Sequence, residues 1–205
     1  MLQPSDYDFI NNFNTLWAVF LGAILATIGG FAATQLEWYF ERKRRERNAA
    51  LFFGEVLSTL AILLRMAQST RGRGDPYGPV TSRMLRAARR EIDIYDRNRE
   101  SLLDLRDAEI RARIHTLVLR ITMPLDGIFD ATQEMGTLQT QARLPGLSDQ
   151  GRADIEARMA LIDNARNVGF DFAVETGEQL IESVKALEPL AGVSFDNIES
   201  IVRNT

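Results

Sequence analysis

The chain of 205 residues has no cysteine and only one histidine, His115. Without cysteine there is no disulfide framework, no thiolate nucleophile and no cysteine-ligated metal. One histidine excludes a multi-histidine metal site within a single chain, and no glycine-framed serine accompanies it as in a hydrolase. We therefore interpret His115 as a packed or surface histidine. The sequence predicts a non-enzymatic protein without a cofactor.

Charged residues are missing from residues 16–36, LWAVFLGAILATIGGFAATQL. These 21 residues would form about 31 Å of helix, which matches a bilayer hydrocarbon core of about 30 Å. Aromatic rings flank the stretch where the two headgroup layers should lie, with Trp17 at one end and Trp38 and Tyr39 at the other. The pattern predicts a transmembrane helix over residues 16–40, preceded by a short extracytoplasmic tail of residues 1–15.

Basic residues are also missing before Arg42. A secretory signal peptide would carry positive charge there, whereas Asp6 and Asp8 precede the apolar stretch, so cleavage is not expected. A basic juxtamembrane segment, residues 41–48, follows the stretch and contains Arg42, Lys43, Arg44, Arg45 and Arg47. Such a cluster is typical of a cytoplasmic flank that contacts anionic lipid headgroups. The N-terminus is therefore predicted outside, with residues 49–205 in the cytoplasm.

Lysine is scarce, occurring only at positions 43 and 185. We associate this preference for arginine with a GC-rich bacterial genome. The predicted location is accordingly the bacterial inner membrane, which the chain would cross once.

Sustained strand patterns are missing from residues 49–205, where apolar residues recur at helical spacing. The sequence predicts an all-α fold in which the transmembrane helix continues into an antiparallel four-helix bundle. The first helix is expected to run on to the loop 71–79, which is rich in glycine and proline. An alternative is that residues 49–67 form a second membrane span, although Glu55 would then lie in hydrocarbon.

Capping residues indicate where the other three helices begin. Thr81 or Ser82 is expected to cap the second helix, and Asp107 the third. A polar stretch over residues 136–146 is expected to interrupt the chain, and Ser148 to open the fourth helix.

Charge of opposite sign gathers in the two halves of the cytoplasmic part. Residues 65–120 contain 13 arginines against 8 acidic residues, whereas residues 121–205 contain 6 basic against 14 acidic residues. The simplest interpretation is pairing between neighbouring helices. An alternative is a partner-binding face formed by Arg83, Arg86, Arg90 and Arg97. Nucleic acid is not expected there, because the net charge is −4 and no aromatic residues interleave with these arginines.

Carboxylates recur at helical spacing in two rows. The rows are Asp126, Asp130 and Glu134, and Asp171, Glu175, Glu178 and Glu182. Such rows could bind a divalent cation in a metal enzyme, but a di-iron bundle needs Glu-x-x-His pairs, which the chain lacks. We interpret them as solvated acidic faces and assign no metal ligand.

Small residues are the most specific feature of the apolar stretch. They recur along one side of the helix at Gly22, Ala26, Gly30, Ala33 and Thr34. A second helix can approach such a surface closely, so we predict an accessory or assembly subunit of a membrane complex. The expected partners are transmembrane helices, either of this chain or of a larger complex. An alternative is a homo-oligomeric pore with Asn11, Asn12 and Asn14 at its outer mouth.

Overall fold

A computed structural model describes residues 4–73 and 76–195 of the chain, with side chains from residue 16 onward. The described residues form helices and no strand. In order they are α1 (Pro4–Arg71), α2 (Pro79–Arg97), a 3₁₀ helix (Arg99–Asp104), α3 (Ala108–Ala142) and α4 (Asp149–Ala191). The predicted all-α class is confirmed. The chain divides into two compact units, Met1–Arg45 and Glu46–Thr205.

The first unit contains the apolar part of α1. Every side chain from residue 16 to residue 45 is exposed. Among the described residues, α1 is the one helix long and apolar enough to cross a membrane, and none of its most apolar window is buried. The hydroxyls of Thr27 and Thr34 donate to the carbonyls of Ala23 and Gly30 at 2.8 and 2.9 Å, so both are satisfied within the helix.

The core of the second unit is built on the remainder of α1. Phe53, Leu57, Leu60 and Leu64 are each no more than 1% exposed. They lie three or four residues apart, as an amphipathic helix requires when one face packs against other helices. Protein therefore covers the apolar face of residues 49–67, which argues against their forming a second membrane span.

Contacts join the second-unit part of α1 to α2 near both ends of α2. Near the start of the unit, the Phe53 ring packs on Tyr95 of α2, with ring centroids 5.8 Å apart. At the other end, the hydroxyls of Thr70 and Thr81 lie 3.2 Å apart. The chain directions of these two segments are therefore opposed.

Helix α4 runs opposite to both α1 and α3. Arg47 donates to the carbonyl of Ala191, the last residue of α4, at 3.0 Å, whereas Arg71 pairs with Asp171. On the other side, two ion pairs join α3 to α4 in reverse order: Arg113 with Glu182, and Glu134 with Arg158.

Two of the three predicted helix caps are confirmed. Asp107 accepts hydrogen bonds from the backbone N–H groups of Glu109 and Ile110, and Ser148 accepts one from Gly151. The prediction for α2 was wrong, because this helix begins at Pro79, whose fixed φ suits the first helical position. Thr81 and Ser82 lie inside the helix.

The predicted interruption over residues 136–146 was wrong in its first half. Helix α3 continues to Ala142, because Gly136 costs a helix only about 1 kcal/mol and no proline lies between Gly136 and Pro145. Helix α4 ends at Ala191 and is followed by Gly192 at φ 71°, a left-handed conformation that favours glycine. Beyond it Phe195 is buried, and Ile198, Ile201 and Val202, expected to form an amphipathic tail, lie outside the described residues.

Two glycines allow close approach in the core. A Cβ at Gly54 of α1 would overlap the ring of Phe195, and a Cβ at Gly177 of α4 would lie 2.7 Å from Leu64 Cδ1. A real side chain at either position would have to displace its neighbour.

We predict that Gly54→Ala lowers the free energy of unfolding by about 1–2 kcal/mol, because the Phe195 ring must leave its place. The matched control is Gly127→Ala in α3, where an added Cβ meets nothing within 4 Å. There the better helix propensity of alanine should raise stability by up to about 1 kcal/mol. Urea denaturation of the full chain in detergent, followed by circular dichroism, measures both. Equal effects in the two variants would contradict the packing.

Candidate functional site

The predicted helix-packing stripe of α1 lies on open surface. A Cβ at Gly22 or Gly30 would meet nothing within 4 Å, and Ala26, Ala33 and Thr34 are exposed. The proposed interface anchors are exposed as well: Trp17 stacks edge-on against Phe20, and Tyr39 against Phe40, while Trp38 is 70% exposed. These side chains are thus available to lipid or to another helix.

The basic juxtamembrane residues divide into two groups. Arg42, Lys43 and Arg44 are exposed, and Arg45 pairs with Glu41 one helical turn earlier. Arg47 instead donates to the Ala191 carbonyl, so it satisfies an end carbonyl of α4 and complements the negative end of that helix. Part of the predicted lipid-binding cluster therefore has a structural role.

The predicted arginine face of α2 is exposed. Arg83, Arg86 and Arg90 make no ion pair or hydrogen bond within the described part of the chain, and Arg97 donates to the Asp93 carbonyl of its own helix at 3.2 Å. The face remains open to a partner.

The acidic rows meet arginines of neighbouring helices. Four of the seven carboxylates are paired in this way: Asp126 with Arg89, Glu134 with Arg158, Asp171 with Arg71, and Glu182 with Arg113. Among the described residues, no group of three or more histidine or carboxylate side chains is arranged to hold a metal ion. Three of these pairs, those of Arg71, Arg89 and Arg113, join the two halves and support the interpretation that their opposite charges are complementary.

A polar cluster that the sequence did not reveal lies where α1 ends. The Arg71 guanidinium donates to Asp171 at 2.5 Å and to the amide oxygen of Asn167 at 2.8 Å. The guanidinium carbon of Arg71, Cζ, also lies 4.5 Å from the ring centroid of Phe170. Arg71 is therefore held by an ion pair, a hydrogen bond and a cation–π contact.

Tyr77 ties the following loop into the same cluster. Its hydroxyl donates to Asn167 at 3.0 Å, and the Arg166 guanidinium lies 4.1 Å from the centroid of its ring. Burial raises the pKa of Tyr77, an effect that the nearby Arg71 and Arg166 oppose. Arg166 also pairs with Asp163 at 2.6 Å. These contacts suit the arrangement to fastening the loop to α4, although the buried Nε of Arg166 has no hydrogen-bond partner among the described residues.

The single histidine, His115, lies in α3 and faces a cavity that the 3₁₀ helix also lines. Its Nδ1 is 3.2 Å from the hydroxyl of Tyr95, whose side chain is almost fully buried. Burial raises the pKa of Tyr95 to about 12, so this phenol stays protonated at neutral pH. His115 also lines an open cavity of about 440 Å³.

No protein-family model, curated protein or solved structure matches this chain.

We predict that Arg71→Ala lowers the free energy of unfolding by about 1–2 kcal/mol, because it removes two polar contacts and a cation–π contact. The exposure of Asp171 limits the contribution of the ion pair itself. Arg86→Ala on exposed α2 surface is the control and should change stability by less than about 0.5 kcal/mol. Denaturant unfolding followed by circular dichroism compares the two. If both variants match the parent chain, the cluster does not fasten the loop.

Proposed function

We propose that the protein is a single-pass membrane protein whose second unit is a cytoplasmic antiparallel four-helix bundle. In this proposal it acts as a non-enzymatic accessory or assembly subunit of a bacterial inner-membrane complex. The four segments of the bundle are residues 46–71 of α1 together with α2, α3 and α4. The contacts that give neighbouring helices opposite chain directions support this arrangement.

The observation that carries the proposal is the exposure of the apolar segment. From residue 16 to residue 40 the side chains are exposed, although the stretch has the composition of a membrane span. An apolar surface of this extent is unfavourable in water and calls for lipid or protein around it. The second unit has its own core.

Orientation and lipid contact follow from charge. Arg42, Lys43 and Arg44 are exposed directly after the apolar segment, where they can meet anionic headgroups on the cytoplasmic side. The expected partners are therefore anionic lipids as well as transmembrane helices.

The packing stripe favours helix association over conduction. Because Gly22 and Gly30 leave open space, a second backbone can approach α1 closely. The hydroxyls of Thr27 and Thr34 are already bonded to backbone carbonyls, so they do not require water along the stripe. A pore remains the competing outcome of the experiment below.

A non-enzymatic role is supported by how the carboxylates are used. The pairs of Asp126 with Arg89 and of Asp171 with Arg71 bind acidic groups to cations of the same chain. Such pairing stabilises helix contacts and leaves these carboxylates less suited to metal binding.

We predict that Gly22→Ile combined with Gly30→Ile releases the chain from its complex, because two branched side chains keep the partner backbone away. The matched control is Ile24→Ala combined with Ile28→Ala on the opposite side of the helix. The mass of the complex purified from native membranes in mild detergent should fall for the glycine variant only.

An unchanged mass and unchanged partners in the glycine variant would overturn the assembly proposal. A homo-oligomer that conducts ions after reconstitution would instead support the pore.

A further inference from the structure

An open cavity of about 440 Å³ lies between the 3₁₀ helix and the first turns of α3. Its volume is within the range of small-molecule sites. The apolar part of its lining consists of Leu102, Leu103, Ala108 and Ala112. Such walls suit aliphatic carbon better than a polar metabolite.

Leu103 is the most exposed large apolar residue of this lining. It is 76% exposed, although Leu102 beside it is buried. No other large apolar side chain among the described residues is more exposed. A leucine held at the mouth of an apolar cavity gains free energy when that cavity is filled by an apolar group.

The polar part of the lining includes two groups that can donate a hydrogen bond to an anion. Arg99 makes no hydrogen bond or ion pair within the described residues, and the second ring nitrogen of His115 is likewise without a partner there. Arg111 is already engaged, since it donates to the carbonyls of Leu105 and Arg106. Glu100 is the acidic residue of the lining and is exposed, so its carboxylate can remain in water.

The cavity lies at the end of the second unit where the chain enters it. The Glu46 carboxylate accepts from the backbone N–H of Arg106 at 3.2 Å and lies 3.4 Å from its guanidinium. Five residues, 41–45, connect Glu46 to Phe40 at the edge of the apolar segment. In the proposed membrane tether, bilayer lipid is therefore the apolar ligand available to a chain joined to the span through this segment.

We propose that the cavity takes up an anionic phospholipid from the surrounding bilayer. Acyl carbons would lie against Leu102, Leu103, Ala108 and Ala112, and the phosphate would be bound by Arg99 with a hydrogen bond from His115. This inference rests on the proposed membrane tether. It adds a specific lipid contact to the cytoplasmic unit, apart from the basic segment that follows the span.

The absence of native cysteine allows a direct test in the full-length chain. Leu103→Cys and Met123→Cys are each labelled with a bimane fluorophore and reconstituted into phosphatidylcholine nanodiscs that contain nitroxide-labelled phosphatidylglycerol. The two positions are 76% and 75% exposed, which makes Met123 of α3 the matched control. We expect at least twofold quenching at position 103 and none at position 123. Adding Arg99→Gln should abolish most of the quenching at position 103.

Three outcomes would overturn the lipid site. One is equal quenching at positions 103 and 123. Another is quenching at position 103 that persists with nitroxide-labelled phosphatidylcholine alone and is unchanged by Arg99→Gln. That result would mean simple contact with the membrane surface. The third is competition by inorganic phosphate, which would identify a free anion as the ligand.

Alkaline carbonate extraction separates failure of the lipid site from failure of the tether. If carbonate releases the chain from native membranes, the membrane proposal and the lipid site are both wrong. If the chain stays in the membrane but position 103 is not quenched, the lipid site alone is wrong.

Discussion

An apolar helix surface has to be removed from water, and α1 meets this constraint differently in the two units. In the second unit its apolar face is covered by protein, with Phe53, Leu57 and Leu64 almost fully buried. Between residues 16 and 40 its apolar side chains are exposed. Because the hydrophobic effect scales with exposed apolar area, the surface of residues 16–40 requires an environment other than water. The proposed membrane location and partner helices both follow from that requirement.

Arginine has several distinct uses in the second unit. Arg71 fastens the loop after α1, Arg89 and Arg113 pair with carboxylates of neighbouring helices, and Arg47 caps the end of α4. Arg83 and Arg99 remain without such contacts in the described part of the chain. The paired arginines therefore account for much of the charge complementarity. The unpaired ones mark the surfaces where a partner or a lipid is proposed.

Sequence patterns within a few residues predicted most helix positions, whereas contacts between residues far apart in the chain were not predicted. Asp107 and Ser148 cap helices through groups only two or three residues away, so the sequence identifies them. The continuation of α3 past Gly136 was missed because one glycine is a weak helix breaker. The Arg71 cluster was missed because its partner Asn167 is 96 positions away. The cavity beside Leu103 likewise depends on how the 3₁₀ helix packs against α3, which periodicity does not determine.

In the proposed topology, residues 16–40 cross the bilayer and the second unit lies in the cytoplasm. Single-cysteine variants Ser5→Cys, Ala26→Cys and Ser69→Cys in intact bacterial spheroplasts test this topology with a membrane-impermeant maleimide. With this topology we expect labelling at position 5 in intact spheroplasts, at position 69 only after permeabilisation, and at position 26 only in denaturing detergent. Labelling of positions 5 and 69 on the same side of the membrane, or of position 26 in intact cells, would contradict it.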